Sequence, residues 1–179
     1  MRVDVVGPEQ LSLVRAVYAD AQTIQRAQGS PVWPEFSDAL ILVELEAGHL
    51  FRVLDGDTLV GVFSVAYEDP AIWGQHERGE HIYLHRIARS AEYAGRGLLE
   101  AVLVWARGQC RAMGRAGLRM DTWASNTGLI DYYQRHGFRF LGTRRIGDDA
   151  RLPPHYQGIE LALLEEVYGS AGERTPPPG

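Results

Sequence analysis

Apolar positions recur along this chain with two periods, and the order in which the periods alternate gives the order of its elements. Arg2 to Val6 reads as a short strand. Pro8 suits a first helical turn, and Leu11, Val14, Val17, Tyr18, Ala21 and Ile24 then recur at helical spacing. Gly29-Ser30-Pro31 stops that helix, and the loop from Pro31 to Phe36 holds Trp33 between two prolines. Trp33 has two readings, a ring lining a substrate pocket or a plug over the edge of the core. A shorter helix is predicted from Ser37, its cap, to Ala47, ending at Gly48. The period then drops to two. His49 to Leu54 and Thr58 to Tyr67 form a hairpin around Asp55-Gly56-Asp57, Asp69-Pro70 breaks its second strand, and Ala71 to Glu80 is expected as a polar loop.

The second half is organised around one small-residue turn. His81 to Arg89 alternates as a strand, with Tyr83, His85, Ile87 and Arg89 on one face and Ile82, Leu84, Arg86 and Ala88 on the other. Ala94-Gly95-Arg96-Gly97-Leu98-Leu99 follows. Its glycines permit positive φ and close backbone approach, and the helix behind it directs free NH groups at the turn, which is how such turns bind anions. That helix runs from Leu98 to Met113, with Leu99, Val102, Leu103, Ala106, Cys110 and Met113 as its buried stripe. Leu118 to Trp123 is a strand in which Arg119 and Asp121 alternate with Leu118, Met120 and Thr122. Ser125-Asn126-Thr127 caps a helix that passes through Ile130 and Tyr133 to His136 and closes at Gly137. Phe138 to Ile146 and Gln157 to Leu164 are the last strands. The polar, proline-stiffened loop from Gly147 to Tyr156 between them is a candidate border of a binding site.

Composition narrows the function classes. The chain has 179 residues, 45% apolar and 23% charged, enough for one domain over positions 1–168, followed by a Gly/Pro-rich tail at 169–179 that is expected to be disordered. Met1-Arg2-Val3-Asp4-Val5 has no signal-peptide core and no apolar run approaches a bilayer span, so a cytoplasmic protein without membrane partners is expected. Net charge is −5 with no basic block, which argues against nucleic acid and favours a cationic or neutral small substrate. The single cysteine, Cys110, sits on a helical apolar face and reads as a packed core thiol. His76 and His81 lack zinc-site spacing and are expected as solvated loop histidines, with no metal. The turn lacks the Gly-Lys-Ser/Thr ending of a nucleotide phosphate loop.

The element order, the stretch Ile87-Ala88-Arg89-Ser90-Ala91-Glu92-Tyr93-Ala94-Gly95-Arg96-Gly97-Leu98-Leu99, and Asn126 followed by Tyr133 and Gly137-Phe138 together resemble the GNAT N-acetyltransferase superfamily. The resemblance spans nearly the whole domain. It implies an α/β fold with a mixed, mostly antiparallel central sheet of about six or seven strands flanked by helices. A splayed pair, His81 to Arg89 and Leu118 to Trp123, forms the acetyl-CoA cleft. It implies direct transfer of an acetyl group from acetyl-CoA, as co-substrate, to a primary amine of a small molecule or peptide in a ternary complex.

By the same resemblance, Ile87, Ala88 and Arg89 border the pantetheine path. The backbone from Ala94 and Gly95 through Arg96, Gly97, Leu98 and Leu99 takes the pyrophosphate, and Asn126 bonds the cofactor arm. Tyr133 protonates the departing thiolate, with Tyr132 turned away from the same point. His85 is the expected base, with Asp121 either its rival, an amine anchor, or a carboxylate paired with Arg119 or Arg86. Trp33, Trp73 and the loop from Gly147 are the candidate walls of the acceptor pocket. Dimers are common in the family, which makes a homodimer an open expectation. Arg89 stands where the family mostly has Val or another apolar residue, and two further positions depart from its pattern, Ala94 in place of Arg or Gln and Leu99 in place of Gly or Ala. These last two motivate an alternative reading, an acyl-CoA-binding sensor or interaction domain with weak or no catalysis.

Overall fold

The computed structural model describes residues 1–93, 95–147 and 158–168. Ala94, the loop residues 148–156, Gln157 and the tail 169–179 lie outside the described residues. Seven strands form one sheet: β1 (Arg2–Val5), β2 (Leu50–Asp55), β3 (Thr58–Ala66), β4 (His81–Arg89), β5 (Gly117–Trp123), β6 (Arg139–Arg145) and β7 (Glu160–Val167). Their order is β1-β2-β3-β4-β5-β7-β6. Every neighbouring pair is antiparallel except β4 and β5, which run parallel. The helices are α1 (Leu11–Ala27), α2 (Asp38–Glu46), α3 (Pro70–Trp73), α4 (Leu98–Met113) and α5 (Thr127–Arg135). Among the described residues no helix is long and apolar enough to cross a membrane.

Local chemistry accounts for the helix ends. Ser37 accepts a hydrogen bond from the Leu40 N–H at 3.3 Å, and Asn126 accepts one from Leu129 at 3.2 Å, each satisfying a helix donor that would otherwise lack a partner. Gly114 and Gly137 close α4 and α5 at φ +64 and +103. The stripe Leu99, Val102, Leu103, Ala106 and Cys110 of α4 packs on β3, β4 and β5, each large apolar side chain contributing about 1.5–3 kcal/mol. Met113, expected in that stripe, lies at the last position of α4 and is 45% exposed. On the opposite face, α1 and α2 cover Leu50, Val62 and Ala88, while α3 brings Ile72 and Trp73 against Tyr83, Leu161 and Leu163.

Four further readings from the sequence are corrected. The segment after Asp69-Pro70 is a one-turn helix followed by a short 3-10 turn rather than an open loop. Trp73 is consequently buried in the core, with Arg119 stacked 4.4 Å over its ring, and is no wall of a pocket. His81 lies inside β4, 5% exposed, whereas His76 is exposed as expected. Finally, β4 does not alternate throughout. Val62 pairs with Ala88 and Ser64 with His85, so Phe63 alone opposes both Arg86 and Ile87. This is a β-bulge, and Arg86 within it takes φ +45, unusual for a side-chain-bearing residue. The bulge inverts the phase, so that Ile87 joins the α4 side with Ile82 and Leu84, and Ala88 faces α1.

Candidate active site

The parallel pairing of β4 with β5 ends at Leu84 opposite Met120. Beyond that point, among the described residues, β4 keeps only β3 as a strand neighbour, and the two strands part around a cleft. Two cavities meet there. One, of about 180 Å³, is walled by His85, Asp121, Trp123 and Asn126 and by Trp33 and Phe36 from the loop after α1. The other, of about 620 Å³, runs from Ile87, Ala88 and Arg89 to the turn from Gly95 to Leu99 and is bordered by Tyr132 and Tyr133. Ile87, Trp33 and Tyr133 border both cavities; Tyr132 borders only the second.

His85 and Asp121 are the first residues past the last pair on each strand, and they face one another. The His85 Nδ1 lies 3.5 Å from Asp121 Oδ1, and its Nε2 lies 3.5 Å from Asp69 Oδ2. The three side chains are 14%, 7% and 11% exposed. Neither carboxylate oxygen has a hydrogen bond within ordinary geometry, and both are aimed at the ring. The arginines on which an ion-pair reading of Asp121 depended are bonded elsewhere: Arg119 to Glu165, and Arg86 to Glu44, Ser64 and the Tyr18 hydroxyl. Burial pulls the His85 pKa down, but the adjacent Asp121 carboxylate, and then the charge of Asp69, outweigh it, and the net shift is upward. Asp69 is pushed up to about 6, first by burial, with His85 opposing and Asp121 adding. Asp69, His85 and Asp121 each offer a ligand atom within 4.8 Å of the others. Each ring nitrogen faces a different carboxylate, so that the imidazole is flanked by Asp121 at Nδ1 and by Asp69 at Nε2.

Tyr133 projects from α5 to the junction of the cavities. Burial, then the charge of Asp121, raises its phenol pKa, which keeps the hydroxyl protonated and able to donate. In the turn, Gly97 takes φ +98 and opens α4 with no side-chain cap of its own, and the first turn of the helix lines the second cavity. Leu99 is 5% exposed within the α4 core, so its bulk points away from the turn. Asn126 borders the first cavity rather than the second, with its carbonyl used as the α5 cap.

The structure also contributes groups that the sequence reading passed over. Asp69 caps α3 through Oδ1, accepting from Ile72 N–H at 3.2 Å; Asp-Pro followed by an apolar residue is itself a helix-start signal. Gln22 donates to the carbonyls of Trp33 and Pro34 at 3.1 and 2.8 Å, and Gln25 accepts from Trp33 N–H at 2.8 Å. These bonds fix the aromatic loop over the cleft, where Trp33 packs on Tyr18 and Phe36. No local pattern announces them.

Residues 16–138 match the Acetyltransferase (GNAT) family, and the chain belongs to that family. It is 31% identical over 150 residues to the uncharacterized N-acetyltransferase YesJ of Bacillus subtilis (strain 168), a match covering 74% of this chain and 83% of that protein. Its fold is similar to that of a GNAT-family acetyltransferase from Listeria monocytogenes, with a TM-score of 0.73 at 20% identity over 93% of this chain and 94% of that one. It is also similar to yncA from Salmonella typhimurium, solved with its cofactor acetyl-CoA, with a TM-score of 0.62 at 12% identity over 100% and 98% of the two chains. The seven-stranded, mostly antiparallel sheet is the fold expected of the family, and the protein is an acetyltransferase by membership.

Proposed function

We propose that the protein transfers an acetyl group from acetyl-CoA to a primary amine of a small molecule or peptide by direct attack. The observation that carries this reading is the opening of the sheet after Leu84 and Met120, with His85 and Asp121 at one side of the opening and Tyr133 at the junction of both cavities. The backbone from Gly95 to Leu99, at an uncapped helix N-terminus, suits a pyrophosphate, with Ala94 the turn's first residue. Ile87, Ala88 and Arg89 border the arm of the cleft, where a pantetheine chain adds to the free side of β4 as an extra strand. When bound, acetyl-CoA supplies the activated thioester.

The rest of the chemistry belongs to this chain. An amine enters the smaller cavity among Trp33, Phe36 and Trp123, with its positive charge toward Asp121. The His85–Asp121 pair takes one proton from the ammonium, freeing the nitrogen lone pair to form the C–N bond as the C–S bond breaks. Tyr133 gives its proton to the departing sulfur and recovers one from the new amide nitrogen or from water. Asn126 orients groups at the cavity mouth. With Leu99 buried in the core, the sensor alternative rests on Ala94 alone, which lies outside the described residues.

Calorimetry with acetyl-CoA, paired with a thiol-release assay over aromatic, aliphatic and peptide amines, tests the proposal. Binding plus thiol release with at least one primary amine supports it. Binding with no release on any amine supports the sensor, and no binding removes both.

A further inference from the structure

We propose that Asp69 is a positioning residue for acetyl transfer, holding the His85 ring by Nε2 so that Nδ1 stays directed at Asp121 and the acceptor cavity. This rests on His85 acting as part of the base. Asp69 lies 3.5 Å from Nε2 on the side of the ring away from Asp121, and it does not border the cavity that His85 and Asp121 line. It acts through the histidine, from behind.

Its own placement is over-determined. Oδ1 accepts from the Ile72 N–H at the start of α3, and the Asp69 N–H donates to Glu77 Oε2 at 2.8 Å. That leaves Oδ2, buried and with no hydrogen bond within ordinary geometry, directed at the imidazole. A ring with an anionic oxygen at each nitrogen cannot swing out without leaving two buried carboxylates uncompensated, which is costly. The ring's charge is set by the same surroundings. Asp121 from β5, Asp69 from before α3 and Arg86 beside it on β4 act on His85, while Glu77 acts on Asp69 and Tyr133 of α5 faces Asp121. Two carboxylates against one arginine already bound to Glu44 favour the imidazolium, so the base form of His85 is reached only at higher pH than for a free histidine.

A plain helix cap would explain Asp69 without any role in transfer, and the substitutions that separate the two readings are Asp69→Asn and Asp69→Ser. Both residues cap helices well, so α3 is kept while the anionic oxygen facing His85 is removed. The His85 ring resonance of the full-length protein, assigned with His85→Gln, is titrated by NMR in the wild type, in each Asp69 variant and in Asp121→Asn. The expected result is a fall of about one unit in the His85 pKa with either Asp69 variant, a tenfold change in proton affinity, and a larger fall with Asp121→Asn. The rising limb of kcat/KM against pH, measured with any amine that turns over, moves to lower pH by the same amount, with KM for acetyl-CoA unchanged. An unmoved His85 pKa in both Asp69 variants, with Asp121→Asn shifting it, overturns the proposal. A His85 pKa that falls while the limb stays where it was overturns His85 as the base instead, and the influence of Asp69 on transfer goes with it.

Discussion

Two histidines stand four residues apart on β4 and face the same side of the sheet, yet their surroundings push them in opposite directions. His81 sits where β4 and β5 are still paired, 3.4 Å from Glu165, in a cluster where Arg119 bonds Glu165, the Tyr83 hydroxyl and the His76 carbonyl. Burial, then the Arg119 charge, lowers its pKa, with Glu165 opposing. His85 sits where the strands have parted, between Asp121 and Asp69, and its pKa is raised. The closed half pairs its charges internally, with Arg119 bonded to Glu165 and stacked on the Trp73 ring. The open half leaves excess negative charge around an imidazole beside a cavity. A balanced buried cluster fixes structure, whereas an unbalanced one has proton affinity left to spend on a ligand.

The largest effects are expected where that difference is removed from one side only. Tyr133→Phe takes a donor from the open half without altering packing, and should lower kcat by about 10²- to 10⁴-fold, the usual worth of a positioned proton donor, with the acetyl-CoA Kd from calorimetry unchanged. An unchanged rate with chemistry limiting removes Tyr133 from that role. Arg119→Ala does the converse. It leaves Glu165 buried without its main partner, and unfolding in denaturant should show a loss of about 3–5 kcal/mol. The rising limb of the pH profile should stay in place, since Arg119 is bonded to Glu165, the Tyr83 hydroxyl and the His76 carbonyl rather than to His85 or its two carboxylates. A limb that moves with Arg119→Ala would break the separation between the two halves.

How far the sequence carries this comparison follows from the range of each interaction. Element order was legible because amphipathic period and caps are local, and Ser37, Asn126 and Gly137 lie where helix ends require them. The Asn126 to Phe138 stretch and the glycine turn carried the family. Nothing local reveals the bulge at Arg86, which comes from a register shift against Val62 and Ser64, and with it the alternation of β4 was misassigned beyond His85. The partner of Asp121 was equally hidden. Arg119 and Arg86 were its candidates by proximity in sequence and sheet, but Glu165 and Glu44 claim them from β7 and α2. Asp69 read as a strand breaker, since its capping bond is local while its approach to His85 depends on how α3 packs.

His85→Gln is expected to be the next largest change. Glutamine keeps a polar group between the carboxylates but cannot titrate near neutrality, so kcat/KM should fall by about 10²-fold and its rising limb should flatten. The direction is fixed by the raised pKa. Wild-type activity is expected to rise with pH as His85 loses its proton, with a midpoint above that of an unperturbed imidazole. Retention of the limb in the variant would assign the base to Asp121 or to water. An excess of negative charge would then serve to anchor the ammonium rather than to deprotonate it.

The smallest effect tests whether the two halves answer pH with opposite signs in stability. Glu165 of the closed half is pushed up by burial, but the Arg119 hydrogen bond and charge more than reverse this, so its folded pKa is lowered. Its contribution is therefore present above the unfolded carboxylate pKa and is lost as pH falls through the folded value. Asp69 is the reverse case. Its folded pKa of about 6 lies above the 3.8 of a free aspartate, so the native state binds the proton more tightly, and stability declines as pH rises through that window. The raised pKa of His85 acts with the same sign, its contribution being lost as pH rises through its folded value. Asp69→Asn removes the first of these declines and lessens the second. Relative to wild type, the variant should therefore gain stability from pH 4 to pH 8, by about 3 kcal/mol from the Asp69 shift of about two units, with the His85 change adding to it, read as a growing difference in Tm. A difference that shrinks over that range would mean that Asp69 is compensated as fully as Glu165, and the open half would not be the unbalanced one.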